Sequence, residues 1–258
     1  MQIAAHRKNK KEKYKAIRQH IYNLFNTEYL PFMGLDKLCK FEIDVQEAAD
    51  RKTNKYGAEV NHKDGVHTLH IAWETVVHGS QNSKSLLFHE FTHILDHETL
   101  LKDVAFNEKS PLLSLYTEYH ATTVEMKAAC DFKCETELGI VHPSRAVHVG
   151  IKPMSLDAFL SIARDELIAK FEAWKANNYK PDDMLFLLKL SIYFIAKAHF
   201  VQKYCPVDIH EIIDTRFLAE LFGNEFSEME TLLLFSLGND DDIASINNKH
   251  EAIARNII

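Results

Sequence analysis

The stretch SLLFHEFTHILDHE, residues 85 to 98, sets His89 and His93 four residues apart, with Glu90 directly after the first. On a helix, imidazoles at i and i+4 share one face and can both reach a single zinc ion at about 2.0–2.1 Å. The glutamate between them is rotated out of the ligand line, where a carboxylate can take a proton from a water activated by the metal. With His89 at 0° and about 100° per residue, His93 falls near 40°, His97 near 80° and Glu90 near 100°. Leu87, Phe88, Phe91, Ile94 and Leu95 occupy the arc from roughly 140° to 260°. The apolar stripe and the histidine face therefore point in different directions, whereas core histidines would share the apolar arc.

Two imidazoles underfill a catalytic zinc sphere, which usually has three protein ligands and a water. His97 lies about 12 Å from His89 along the helix axis, too far to converge on the same ion. It is expected in the cleft wall or behind the ligands, and Asp96, near −20°, can orient an imidazole N–H. A better third donor lies in YTEYHATTVEMKAAC, residues 116 to 130. As a helix, this segment gathers Glu118, Thr122, Glu125 and Ala129 on one face, with Ala121 beside it. Small residues next to a carboxylate let two helices approach closely. A fold-back of the second helix brings Glu118 opposite the histidines, with Glu125 the competing ligand two turns on. His120 points away from that face, toward the surface or a place behind the ligands. Tyr116, Tyr119 and His120 are candidate donors to a transition state.

The surrounding pattern shows what must hold these groups. Residues 10 to 25 read as a basic amphipathic helix, broken in LPFMGL by Pro31 and Gly34. FEIDV, 41 to 45, alternates apolar and acidic residues like a strand with one buried face. The run from Tyr56 to Trp73 predicts a hairpin turning at Lys63-Asp64-Gly65. The motif helix should start at an N-cap Ser83 or Ser85 and reach Leu100. After a loop carrying Asn107 and Pro111, a second helix should span about 113 to 137. Amphipathic patterns at 155 to 177, 182 to 204 and 208 to 222, then a weaker pair, predict helices with no strand among them. The expected fold class is α+β. Helix, small sheet, active-site helix and glutamate helix occupy residues 1–142, and an all-helical region occupies 143–258. Pro143 to Pro153 is the junction, short enough for the halves to share a core.

Bulk properties narrow the class. A net charge of −7 over 258 residues offers no general attraction to nucleic acid or anionic lipid. The exception is the basic segment 6–20, with seven Lys/Arg against Glu12, which reads first as a solvated helix face. The four cysteines form no C-x-x-C and no disulfide framework. In MLFLLKLSIYFIAKAHFV, 184 to 201, Lys189, Lys197 and His199 interrupt the apolar run, so it reads as a buried helix and not a membrane span. No apolar signal segment follows Met1, and the expected location is cytoplasmic.

HEFTH followed by a helix bearing EYHA resembles the gluzincin class of zinc metallopeptidases. The E-x-x-A at 118 to 121 is similar to that of the ImmA/IrrE-type peptidases of phages and mobile elements, and the order of elements over residues 10 to 137 matches as well. The resemblance implies a zincin-like unit with His89, His93 and Glu118 as Zn²⁺ ligands and Glu90 as general base. It implies a peptide or protein substrate paired along the free edge of the strand before the motif helix, VHTLHIAW at 66 to 73, where His67 or His70 could face the cleft. The expected activity is zinc-dependent peptide hydrolysis. The alternative is a zinc-binding regulatory or interaction protein that keeps the fold without catalysis.

Overall fold

The computed structural model describes residues 2–38, 40–47, 57–63, 65–78, 82–99, 111–147, 154–176, 181–208 and 218. The predicted helix at 208 to 222 lies outside them except at 208 and 218, and the C-terminal pair and Asn107 lie wholly outside.

Helix α1, Gln2–Leu24, passes into a π-helical turn at Phe25–Tyr29 and then α2, Leu30–Phe32. The break falls within the predicted LPFMGL, at Gly34 and not at Pro31: helical backbone continues past the proline and stops at Gly34, whose φ of +69° an L side chain resists. The widened π turn explains this, because a proline has no N–H to give and clashes with the carbonyl four residues back in a regular α-helix. Part of the basic segment is used internally. Lys10 pairs with Glu47 at 2.7 Å, Lys13 lies over the Trp73 ring, and the Arg18 Nε donates to the Ile43 carbonyl at 2.9 Å.

Strands β1 (Glu42–Gln46), β2 (Ala58–Lys63) and β3 (Val66–Ala72) form one sheet in the order β1-β3-β2. β3 pairs parallel with β1 and antiparallel with β2, with Lys63 opposite Val66 at the predicted turn. This corrects the expected edge strand: β3 is central, both its edges are occupied, and it has none to offer an extended peptide. Short helix α3, Trp73–His78, follows, then the motif helix α4, Asn82–Thr99. Ser83 and Ser85 are buried inside its first turns and are not caps.

The next helix, α5, spans Pro111–Ala129, not 113 to 137. Asp131 takes a left-handed φ of 55°, Phe132 N–H bonds the Lys127 carbonyl and Asp131 N–H that of Ala128, a Schellman ending built without glycine. A two-stranded ribbon missing from the sequence reading, β4 (Ala146–Val147) with β5 (Met154–Ser155), flanks the junction. Helices α6, Leu156–Ala176, and α7, Pro181–Tyr204, fall where expected. No helix among the described residues is long and apolar enough to cross a membrane.

Two apolar clusters orient the motif helix. On its far side, Phe88 and Phe91 meet Phe25, Tyr29 and Phe32 at ring-centroid distances of 4.9 to 5.3 Å, mostly edge to face. Such ring pairs contribute about 0.5–1.5 kcal/mol each beyond area burial. α5 belongs to both clusters, with Val124 and Ala128 facing the first and Tyr119, Met126 and Cys130 packing on α6 and α7. The histidine face of α4 is thereby turned toward α5, while α7 lies against α5.

Candidate metal centre

His89, His93 and Glu118 come together at the contact of α4 with α5. His89 Nε2 and His93 Nε2 are 3.1 Å apart, and Glu118 Oε2 lies 3.2 Å from the first and 3.4 Å from the second. Tetrahedral bonds of about 2.0–2.1 Å require ligand–ligand edges of about 3.3–3.4 Å. These three atoms thus have the spacing of one face of a zinc tetrahedron, and the donors, two imidazoles and a carboxylate, suit that ion. Ala121 and Thr122, both fully buried, supply the small-residue contact expected beside Glu118.

The groups behind the triangle fix its chemistry. His89 Nδ1 lies 3.1 Å from Glu125 Oε2, so a proton on Nδ1 donates to that carboxylate and leaves the Nε2 lone pair facing the triangle. This separates the two candidate ligands, since Glu118 sits with both Nε2 atoms and Glu125 stands behind His89. Burial pulls the His89 pKa down, but Glu118 and Glu125 outweigh it and raise it to about 10 in the ion-free site. Burial pushes Glu118 up, and the two histidines hold it well below its ordinary range. An incoming ion must therefore displace a proton from His89. Apparent zinc affinity should climb by about tenfold per pH unit between about pH 6 and 9, flattening only near the raised pKa. Competitive zinc titrations across that range check the slope, and a flat profile would show that His89 is not held protonated there.

Glu90 is buried, at 6% exposure, and burial raises its carboxyl above the ordinary value against the opposing charges of His89 and His93. A base shifted in this direction is better matched to proton transfer near neutrality.

The remaining candidates are distributed more widely. Asp96, 1% exposed, bonds His120 at 2.7 Å, so its imidazole partner is not a triangle histidine. His120 is partly buried, and Asp96 raises its pKa against the effect of burial. The Tyr119 hydroxyl engages His199 Nδ1 at 2.9 Å within the α7 packing and is not directed at the triangle. Tyr116 is buried. His70 does not face the cleft: it bonds Asp44 of β1 at 3.0 Å and alternates with the inward residues Leu69 and Ile71. His97 stacks on His62 at 3.7 Å, away from the triangle.

Sequence reasoning predicted the helix α7 but missed its contribution to the site. Lys189 forms an ion pair with Glu118 Oε1, the Tyr193 hydroxyl hydrogen-bonds Glu118, and the Tyr193 ring centroid lies 6.0 Å from that of His89. Burial and the Glu118 charge push the Tyr193 phenol well above its ordinary pKa, so it remains a donor. Lys197 is held below its usual value by burial, against the pull of Glu125 and Glu166. The signal was present as a polar series at 189, 193 and 197, one helical face of an otherwise apolar segment.

Comparison of the chain with family models, curated proteins and solved structures finds no match.

Proposed function

We propose that this chain is a zinc-dependent peptidase with a zincin-like arrangement, acting on a peptide or protein substrate. The observation that carries the proposal is the triangle of His89 Nε2, His93 Nε2 and Glu118 Oε2, with edges of 3.1, 3.2 and 3.4 Å and Glu90 beside it. When bound there, zinc supplies Lewis acidity to a carbonyl and lowers the pKa of water.

The side chains do the rest. Glu118 and the two imidazoles hold the ion, and Glu125 keeps His89 in the ligating tautomer. Glu90 takes the proton of the attacking water and returns it to the departing amine. Tyr193, protonated, gives its hydrogen bond to Glu118 in the ion-free site and would redirect it to the oxygen on which charge develops. The packing of α7 on α5 excludes bulk water from one side of these groups. Because β3 is internal, an extended substrate would pair with an outer strand of the sheet. A cytoplasmic setting belongs to the same proposal, supported by the free thiols of Cys130, Cys134 and Cys205.

The test is cleavage of a peptide library by tag-free protein. Cleavage should stop on zinc chelation and return with added zinc, and cleavage that survives metal removal would overturn the proposal. With a substrate in hand, Tyr193→Phe should lower kcat by roughly 10²–10³-fold, the usual effect of deleting one such donor, with zinc content and KM little changed. An unchanged kcat would take Tyr193 out of the mechanism.

A further inference from the structure

A second histidine group lies beyond the triangle. His62 on β2 and His67 on β3 are direct cross-strand partners, with Nδ1 atoms 2.5 Å apart. His97, in the last turn of α4, stacks on the His62 ring at 3.7 Å and meets the His67 ring edge at 5.5 Å. One nitrogen from each of the three falls within 4.8 Å of the others. His67 is only 4% exposed, so this is not a solvated surface pair.

Glu98 gives the group its polarity. Its Oε1 lies 2.6 Å from His67 Nε2, so that nitrogen donates and the Nδ1 lone pair of a neutral His67 is turned toward His62. A carboxylate behind an imidazole whose other nitrogen faces further imidazoles is the arrangement that orients metal-bound histidines. A proton between the two Nδ1 atoms would account for His62 and His67 alone. It gives no reason for a third imidazole to come in from α4.

We infer that His62, His67 and His97 form a second metal site for a zinc-class divalent transition ion, tying the β2–β3 hairpin to the last turn of the motif helix. Three imidazole donors favour zinc and its transition-metal neighbours over calcium or magnesium, which take oxygen. Tetrahedral zinc needs donor edges of about 3.3 Å, so binding would part the two Nδ1 atoms by roughly 0.8 Å, within reach of small side-chain rotations. The site does not depend on catalysis at the triangle. Its ion would brace the helix one turn beyond His93.

The experiment uses the full tag-free chain, stripped by chelation and titrated with zinc alone, with stoichiometry read by native mass spectrometry. Wild type should take up two zinc ions per chain. His62→Gln and His97→Gln, both at partly exposed positions, should each take up one, as should His89→Ala. The His62→Gln/His89→Ala combination should take up none. Failure of the peptidase reading would leave an equivalent that His62→Gln removes. The inference itself is overturned if wild type binds a single zinc lost with His89→Ala, or if neither His62→Gln nor His97→Gln changes the count.

Discussion

Glu90→Gln should retain the zinc and lose the chemistry. The amide keeps the size of the carboxylate and one hydrogen-bond acceptor but cannot accept the proton of a water. Glu90 is not one of the three atoms with ligand spacing, so zinc content and melting temperature should stay close to wild type. Peptide cleavage should fall by at least the roughly 10²–10⁴-fold associated with losing a general acid–base group. The buried, raised carboxyl also predicts a pH profile for wild type. Its acidic limb should lie above the ordinary glutamate range, since the base works only when ionised, and this limb should vanish from any residual activity of the variant. A zinc-loaded Glu90→Gln protein with full activity would exclude the mechanism. Loss of zinc in that variant would make Glu90 a ligand.

What could be read from the sequence depended on how local the determining contacts were. His89, Glu90 and His93 share one helix, so their common face followed from the helical repeat alone. Glu118 was legible because the small residues at 121 and 122 mark the side on which a second helix can come close. The same reading preferred Glu118 as the ligand, with Glu125→Ala expected to leave zinc binding nearly intact, but it could not settle the choice because both lie on that face. What decides is which imidazole nitrogen each carboxylate meets. Tyr193 and Lys189 were hidden for a different reason. The composition of α7 announces burial but not the neighbour against which it is buried, and the α5–α7 contact is far apart in sequence. The central place of β3 was hidden likewise, because the parallel pairing with β1 is non-local and leaves no alternation signal. The end of α5 was missed because Asp131, not a glycine, takes the left-handed turn. His62 was not singled out and His97 was expected in the cleft wall or behind the ligands, because only the packing of the hairpin on the last turn of α4 brings the two rings together.

The second large effect concerns the carboxylates of α5. Glu118→Ala removes one of three ligands and should strip most of the zinc from the triangle during dialysis. Glu125→Ala leaves all three ligand atoms but frees His89 Nδ1, so the ring loses its orientation and its fixed tautomer. The sequence alone predicts almost no effect of Glu125→Ala. With Glu125 found 3.1 Å behind His89, affinity should instead drop by roughly 10–100-fold, the usual cost of losing such a partner. The order Glu118 before Glu125 is the point at issue, and the reverse order would place the ligand one position along the helix face.

The most direct measurement compares the zinc content of dialysed, tag-free wild type with that of His89→Ala/His93→Ala, both shown to unfold cooperatively. A difference of one zinc per chain is the predicted result, and it holds whatever the His62 group binds. Equal zinc content in the two folded proteins would contradict the account.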